Sequence, residues 1–417
     1  MNESSVPLHE NRIINGVLKT GVMVEPQVVK AALARDVAII VSPERANSSD
    51  LWPCIWALAA VLERQFTGTV SIDCGLEQAL PAPTPLGARC AFGTAPKTAR
   101  RIFIGAEAPN ETDTLWGDVR GNCLGCDRLV ASADPAHPVS CFALAGYLGF
   151  AALARAVGIP PYRESFRTDY LHLPLAFAIP PGPLNLSVIG LGHLGQAYLA
   201  LLYFVFQNIA PTVVLIDRDS FEPPNRATQI LLEDPFCWNG VPKHEYLERL
   251  VQQWGWHVRG RGTTLEWGWR RPTGDPTLTL LGLDDLDVRR MAIAAGYEWI
   301  IDAGLGASFL QPRISWHALP PDSSLARSLF TARHQAQQRL DALEGTPLKQ
   351  ELSKTPGECG WLTFQSITAA APSMGLAGAA FAITELLNSL AGHRAPVSGR
   401  ACLWSTMLPT YREPLAV

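Results

Sequence analysis

The chain has 417 residues, 47% hydrophobic and 17% charged, with a formal net charge of −4. That length calls for two or three domains, the apolar content suffices for large cores, and the charge excludes a general affinity for nucleic acid. Apolar runs break at Gly, Pro or a charge before the roughly 20 residues of a membrane span, the polar start MNESSVPLHENR is no secretory signal, and nine irregularly spaced cysteines make no secreted disulfide framework. The expectation is a cytoplasmic protein with reduced thiols and no membrane partner.

In chain order, DVAIIVSP (36–43) reads as a buried strand, WPCIWALAAVLERQF (52–66) as an amphipathic helix, and GTVSID (68–73) and RRIFIGAE (100–107) as further strands. CFALAGYLGFAALARAVG (141–158) has the length and apolar character of a buried helix. The alternation predicts a parallel sheet with helices on its faces. The loop after the first strand, SPERANSSD, has no glycine fingerprint. A doubly wound N-terminal domain over 1–160 that does not hold phosphate in the usual way is expected, followed by a Pro- and aromatic-rich linker over 161–184.

The C-terminal domain, 185–417, opens with a strand, a glycine turn and a helix (194–207), then TVVLID (212–217). Strands follow at 277–285, 297–304 and 312–319, then a polar, charged insertion over 320–358. A small-residue helix (375–392) and a last strand (400–408) complete it. The fold class is α/β, with two doubly wound Rossmann-like domains that hint at one diverged fold.

VIGLGHLG (188–195) carries Gly190, Gly192 and Gly195 as G-x-G-x-x-G between a strand and a helix. The first glycine permits a tight turn, the second a close approach to phosphate, and the third helix–strand packing. Phosphate then meets the N–H groups of a helix N-terminus. Asp217 ends the second strand, where an acid can bind ribose hydroxyls. Asp219, Asn225, Arg226, Gln229, Lys243 and Asp284 follow above the carboxyl ends of the parallel strands. Basic groups with an acid suit phosphates and Mg²⁺.

In TPGECGW, Cys359 precedes a helix start, a position that raises the thiolate fraction; a buried structural cysteine is the equal alternative. Cys123 and Cys126 form one C-x-x-C pair, which lacks the second pair of a structural zinc site and reads as structural. His193 reads as a variable position of the turn.

The order GLGHLG, LIDRD, NRATQ, VPK and LDDLDVR resembles the adenylating domain of ubiquitin-activating enzymes and of bacterial sulfur-carrier adenylyltransferases, over about 180–417. The resemblance implies ATP and Mg²⁺ as cofactors. Asp217 would bind ribose, Asp284 would hold Mg²⁺, Lys243 would contact phosphate, and Asn225 and Arg226 would line the ATP site beside the glycines, Asp219 and Gln229. The family pattern N-x-x-R-Q is here Asn225-Arg226-Ala227-Thr228-Gln229, with Thr228 in place of the arginine. The implied reaction is adenylation of a ubiquitin-like protein's C-terminus, then a thioester on Cys359 and transfer to a conjugating enzyme. Small enzymes of this kind occur in bacterial operons, some in phage defence. The paired domains of the family imply a homodimer or an intrachain pseudo-dimer, in which Arg12 is a candidate arginine donated to the ATP. Adenylation without a thioester, an NAD-dependent oxidoreductase and a non-catalytic scaffold stand as alternatives.

Overall fold

The computed structural model describes residues 12–20, 25–76, 80–107, 114–127, 129–159, 171–172, 184–233, 239–306, 309, 312–320, 371–394, 396–403 and 413–414. Two sheets repeat one plan. The first contains β1 (Val37–Val41), β2 (Val70–Asp73), β3 (Cys90–Phe92), β4 (Arg100–Ile104), β5 (Thr114–Arg120), β6 (Cys123–Cys126) and β7 (Leu171–His172) in the order β3-β2-β1-β4-β5-β6-β7. The second contains β8 (Asn185–Ile189), β9 (Thr212–Ile216), β10 (His257–Arg261), β11 (Leu278–Leu281), β12 (Trp299–Leu305), β13 (Arg313–Leu319), β14 (Val397–Cys402) and β15 (Glu413–Pro414) in the order β10-β9-β8-β11-β12-β13-β14-β15. In each, five strands run parallel and the remainder add on antiparallel. The order reverses between the first and fourth strands of each set, which opens a crevice at their carboxyl ends.

Several strands depart from the sequence expectation. β7 lies inside the segment expected to be a linker and pairs with β6. The sequence pattern does not predict β10 (HVRGR): its alternate arginines and exposed edge position conceal the apolar pattern that marks a strand. β5 and β6 also form a hairpin in which Cys123 and Cys126 are strand residues, Cys126 buried. The insertion 320–358 falls, apart from Pro320, outside the described residues, as does Cys359.

Helices α1 (Arg12–Leu18) and α2 (Pro26–Leu33) precede β1. α3 (Trp52–Gln65) joins β1 to β2, and α4 (Pro138–Ala156) follows β6. In the second half α5 (His193–Val205) joins β8 to β9 and α6 (Lys243–Gln253) joins β9 to β10. α7 (Leu286–Ala294) joins β11 to β12, and α8 (Pro372–Leu390) precedes β14. α4 and α8 are counterparts: each has 19 residues and opens with Pro at its first position, where the missing N–H costs no hydrogen bond and the fixed φ suits the helix. α4 is long and apolar enough to cross a membrane, but it is buried inside the protein.

One continuous core joins the halves. α3 and α4 cover a face of the first sheet, α5 and α8 a face of the second, and the four helices pack together. Trp56 of α3 and Phe142 of α4 meet Phe204 of α5 at 5.6 and 5.9 Å between ring centroids. Gln65 Nε2 donates to Ser373 Oγ of α8 at 2.7 Å. Small residues set the approach of α4 to α8: a Cβ on Gly146 would lie 2.8 Å from the Ser373 carbonyl and 2.9 Å from the Ala377 nitrogen. A smaller apolar cluster on the far face of the second sheet brings Ile189, Val214, Ile216 and Ile300 against Ile293 of α7.

Gly146→Val wedges α4 from α8, and overpacking of this kind costs about 1–3 kcal/mol. A urea transition should move to a lower midpoint with an unchanged slope.

Candidate nucleotide site

The glycine turn leaves β8 at the crevice between β8 and β11. Gly190 has φ +83°, and a Cβ there would sit 2.8 Å from the Gly282 carbonyl oxygen. A Cβ on Gly195 would overlap the Gly190 carbonyl oxygen, whereas one on Gly192 would meet nothing within 4 Å. The first and third glycines therefore serve a left-handed turn and close packing, and the second faces open space before the N-terminus of α5.

Asp217, just past β9, braces this turn. Its Oδ2 accepts from Leu191 N–H at 2.6 Å and its Oδ1 from Asp219 N–H at 2.8 Å. Burial pushes its carboxyl above the usual carboxylate range, against Lys243 and these two amides. Lys243 opens α6, and its Nζ lies 3.2 Å from Asp219 Oδ2. Asp284 is exposed in the loop after β11. The structure thus gathers Gly190, Gly192, Gly195, Asp217, Asp219, Lys243 and Asp284 on one rim.

Asn225, Arg226 and Gln229 occupy the adjoining 3-10 turn Pro223–Ala227 and its exit. Asn225 is buried, and its Oδ1 accepts from Glu222 N–H at 3.1 Å, closing a local box. Gln229 is buried with its Oε1 accepting from Gln196 Nε2 at 2.6 Å. Both side chains brace the wall of the crevice. Thr228 is also fully buried, its hydroxyl turned to the Asn225 carbonyl.

Arg12 reaches the site from α1 of the first half. Burial lowers its pKa, and the charges of Asp284, Glu222 and Asp219 act on it in the opposite sense, in that order of strength. His193 of the turn is pushed down to about 4, by burial first and by the charge of Arg12 second. α1 is seated against the second half, with Gly16 against the Phe309 ring.

A buried pair holds the Asp284 loop. Arg289 of α7 donates from Nε to the Leu283 carbonyl at 2.9 Å and from Nη2 to the Ala303 carbonyl at 3.1 Å, with Nη1 3.2 Å from Asp302 Oδ2. Burial pushes Asp302 up to about 6, with Arg289 opposing. Sequence reasoning passed over Arg289, Asp302 and Gln196. The available signals were an arginine five residues after Asp284 and a polar residue directly after the third glycine.

The matching crevice of the first half is filled. Arg45, in the loop after β1, donates to Asp50 Oδ2 at 2.9 Å and to the Val119 carbonyl at 3.3 Å, and lies 3.5 Å from Asp118 Oδ1. A cation with two carboxylates occupies the place that the glycine turn leaves open in the second half.

Among the described residues no group of three His, Cys, Asp or Glu side chains could hold a metal ion. Exposed carboxylates on the rim, Asp284 with Asp219 nearby, fit a Mg²⁺ that arrives with phosphates and keeps several waters.

This arrangement is an α/β crevice with converging charged groups at a topological switch point, where open parallel sheets bind ligands. A family model described as the BilD C-terminal domain matches residues 182–393. The chain belongs to this family, within the superfamily of E1-like, ubiquitin-activating-type enzymes. The bacterial E1-like protein BilD of Collimonas sp. (strain OK412) is 31% identical over 227 residues, 51% of this chain and 46% of that protein; the match thus takes in less than half of that relative's length. Crystal structures of E. coli MccB and of E. coli MccB with ATP align at 11% and 12% identity with TM-scores of 0.34 and 0.33. They cover 52% and 56% of this chain and 59% and 65% of theirs, superpositions too loose to carry an argument about the site.

The folded Asp302 carboxyl keeps its proton to a higher pH than the unfolded one. Its contribution to stability is therefore full below about pH 4 and lost as pH rises through about 6. The unfolding free energy of the wild type relative to Asp302→Asn should fall between about pH 4 and 6, a difference that urea denaturation across that range measures.

Proposed function

We propose that the second half of this chain adenylates the C-terminal carboxylate of a ubiquitin-like protein or peptide, using ATP. The observation that carries the reading is the open glycine turn at the switch point of the second sheet, with Asp217 and the Asp219–Lys243 pair on its rim and α1, which bears Arg12, packed on the adjoining turn 223–227. Family membership agrees with it.

The open side of Gly192 and the α5 N-terminus receive phosphate, where N–H groups favour the anion. Asp217 has lone pairs left for the ribose hydroxyls. The carrier's carboxylate oxygen attacks the α-phosphorus; the bond to the bridging oxygen breaks, pyrophosphate leaves, and an acyl-adenylate forms. Mg²⁺ held through Asp284 and the phosphates would offset the charge on the leaving pyrophosphate. Lys243 and Arg12 supply further positive charge where it develops. Arg12 fills the need left by Thr228, which stands where the family pattern has arginine. The two halves then act as an intrachain pseudo-dimer, spanning the expected domains 1–160 and 185–417, with the first supplying a cation and holding no nucleotide because Arg45 fills its crevice.

Cys359 would next attack the acyl carbon, releasing AMP and forming a thioester for a conjugating enzyme. A reaction that stops at the adenylate remains the second outcome.

ATP–pyrophosphate exchange with purified protein and a ubiquitin-like carrier should depend on the carrier. It should fall by about 100-fold or more in Asp284→Ala and in Arg12→Ala, by analogy with removal of one transition-state donor. Exchange should persist in Cys359→Ala, which should lose any thiol-sensitive carrier adduct. Exchange that is indifferent to both Asp284 and Arg12 contradicts the reading.

A further inference from the structure

The first half touches the nucleotide crevice a second time, through a side chain that makes no rim contact of its own. Arg64 sits in the last turn of α3 with its side chain only 9% exposed. Its guanidinium crosses to the second half: Nη2 donates to the Leu232 carbonyl at 2.5 Å and Nε to the Gln229 carbonyl at 3.3 Å. Nη1 is 3.3 Å from Glu63 Oε2, which balances the buried charge. Burial lowers the pKa of Arg64, and Arg226 is among the nearby cations.

From Gln229 the contacts run without a break to the glycine turn. Gln229 Oε1 accepts from Gln196 Nε2 at 2.6 Å, and Gln196 Oε1 accepts from Leu231 N–H at 3.0 Å. Gln196 Nε2 also lies 3.3 Å from the Leu191 carbonyl oxygen, and Leu191 N–H donates to Asp217 Oδ2 at 2.6 Å. Every link is buried or half-buried, so each lost partner would strand a polar group without water.

We propose that Arg64 is a positioning residue of the nucleotide site: the first half, through Arg64, fixes the 225–232 wall and hence the glycine turn and Asp217 in the geometry that receives ATP. This rests on the reading of the crevice as an ATP site. A planar fork suits the task because it presents two N–H groups to carbonyls of different residues at once, which an ammonium on a flexible stem does not reproduce. The role differs from that of Arg12, which lies among the rim charges.

The test is calorimetric binding of Mg-ATP to the full chain, comparing wild type with Arg64→Met, Arg64→Lys, Gln196→Leu and the Arg64→Met/Gln196→Leu double variant. Each variant is melted without nucleotide to establish its folded fraction. Arg64→Met should weaken ATP binding by the folded fraction about tenfold or more, and Arg64→Lys should recover part of the loss. The double variant should bind little worse than the weaker single variant, because both break one chain of contacts. A purely structural arginine would lower the melting temperature and leave the affinity of the folded fraction unchanged; that result overturns the proposal. So do losses that add fully in the double variant. If Arg64→Met does not fold, Arg64→Lys with wild-type affinity overturns it equally. Failure of the wild type to bind Mg-ATP overturns the ATP reading itself, and this inference with it.

Discussion

The structure depends on the packing of four helices between two sheets. α3 and α4 from one half and α5 and α8 from the other share one core, at separations that glycines allow: Gly146 stands directly against the Ser373 and Ala377 backbone. Interiors are close-packed and transmit displacement, so this layer fixes how the strand ends of one half face the N-terminal helices of the other. Arg12 and Arg64 both use that fixed relation, the first to add charge beside Asp284 and the second to hold carbonyls behind the rim.

The halves follow one strand plan and differ in what stands at the switch point. After β8 the chain turns on glycines and leaves a helix N-terminus facing space. After β1 it turns through a loop that puts Arg45 between Asp50 and Asp118. A nucleotide phosphate at the second position would displace the contacts of Arg45 with half-buried Asp50 and buried Asp118. One strand plan therefore leaves an open crevice in one half and a charge-filled one in the other.

Buried charge behind the crevice does related work. The Arg289–Asp302 pair ties α7 to β12 and to the Leu283 carbonyl, so the loop carrying Asp284 starts from a held position. Its partners lie beneath the rim and away from solvent, which suits them to orient the loop rather than to meet a substrate.

What the sequence determined by itself was local. The glycine spacing between a strand and a helix, the acids that follow β9 and β11, and the long apolar helices α4 and α8 could be read because a turn, a helix N-terminus and a long continuous apolar run are encoded in neighbouring residues. The edge strands β3 and β10 are not legible in the sequence, since three residues carry no period in β3 and alternate arginines hide it in β10. Only the tertiary structure decided that Gln229 and Asn225 brace the crevice wall, that Arg45 fills the first crevice, and that Arg64 meets a carbonyl 165 positions away. Such contacts depend on which helix faces pack together, a relation between distant segments that leaves no mark in the spacing of either one.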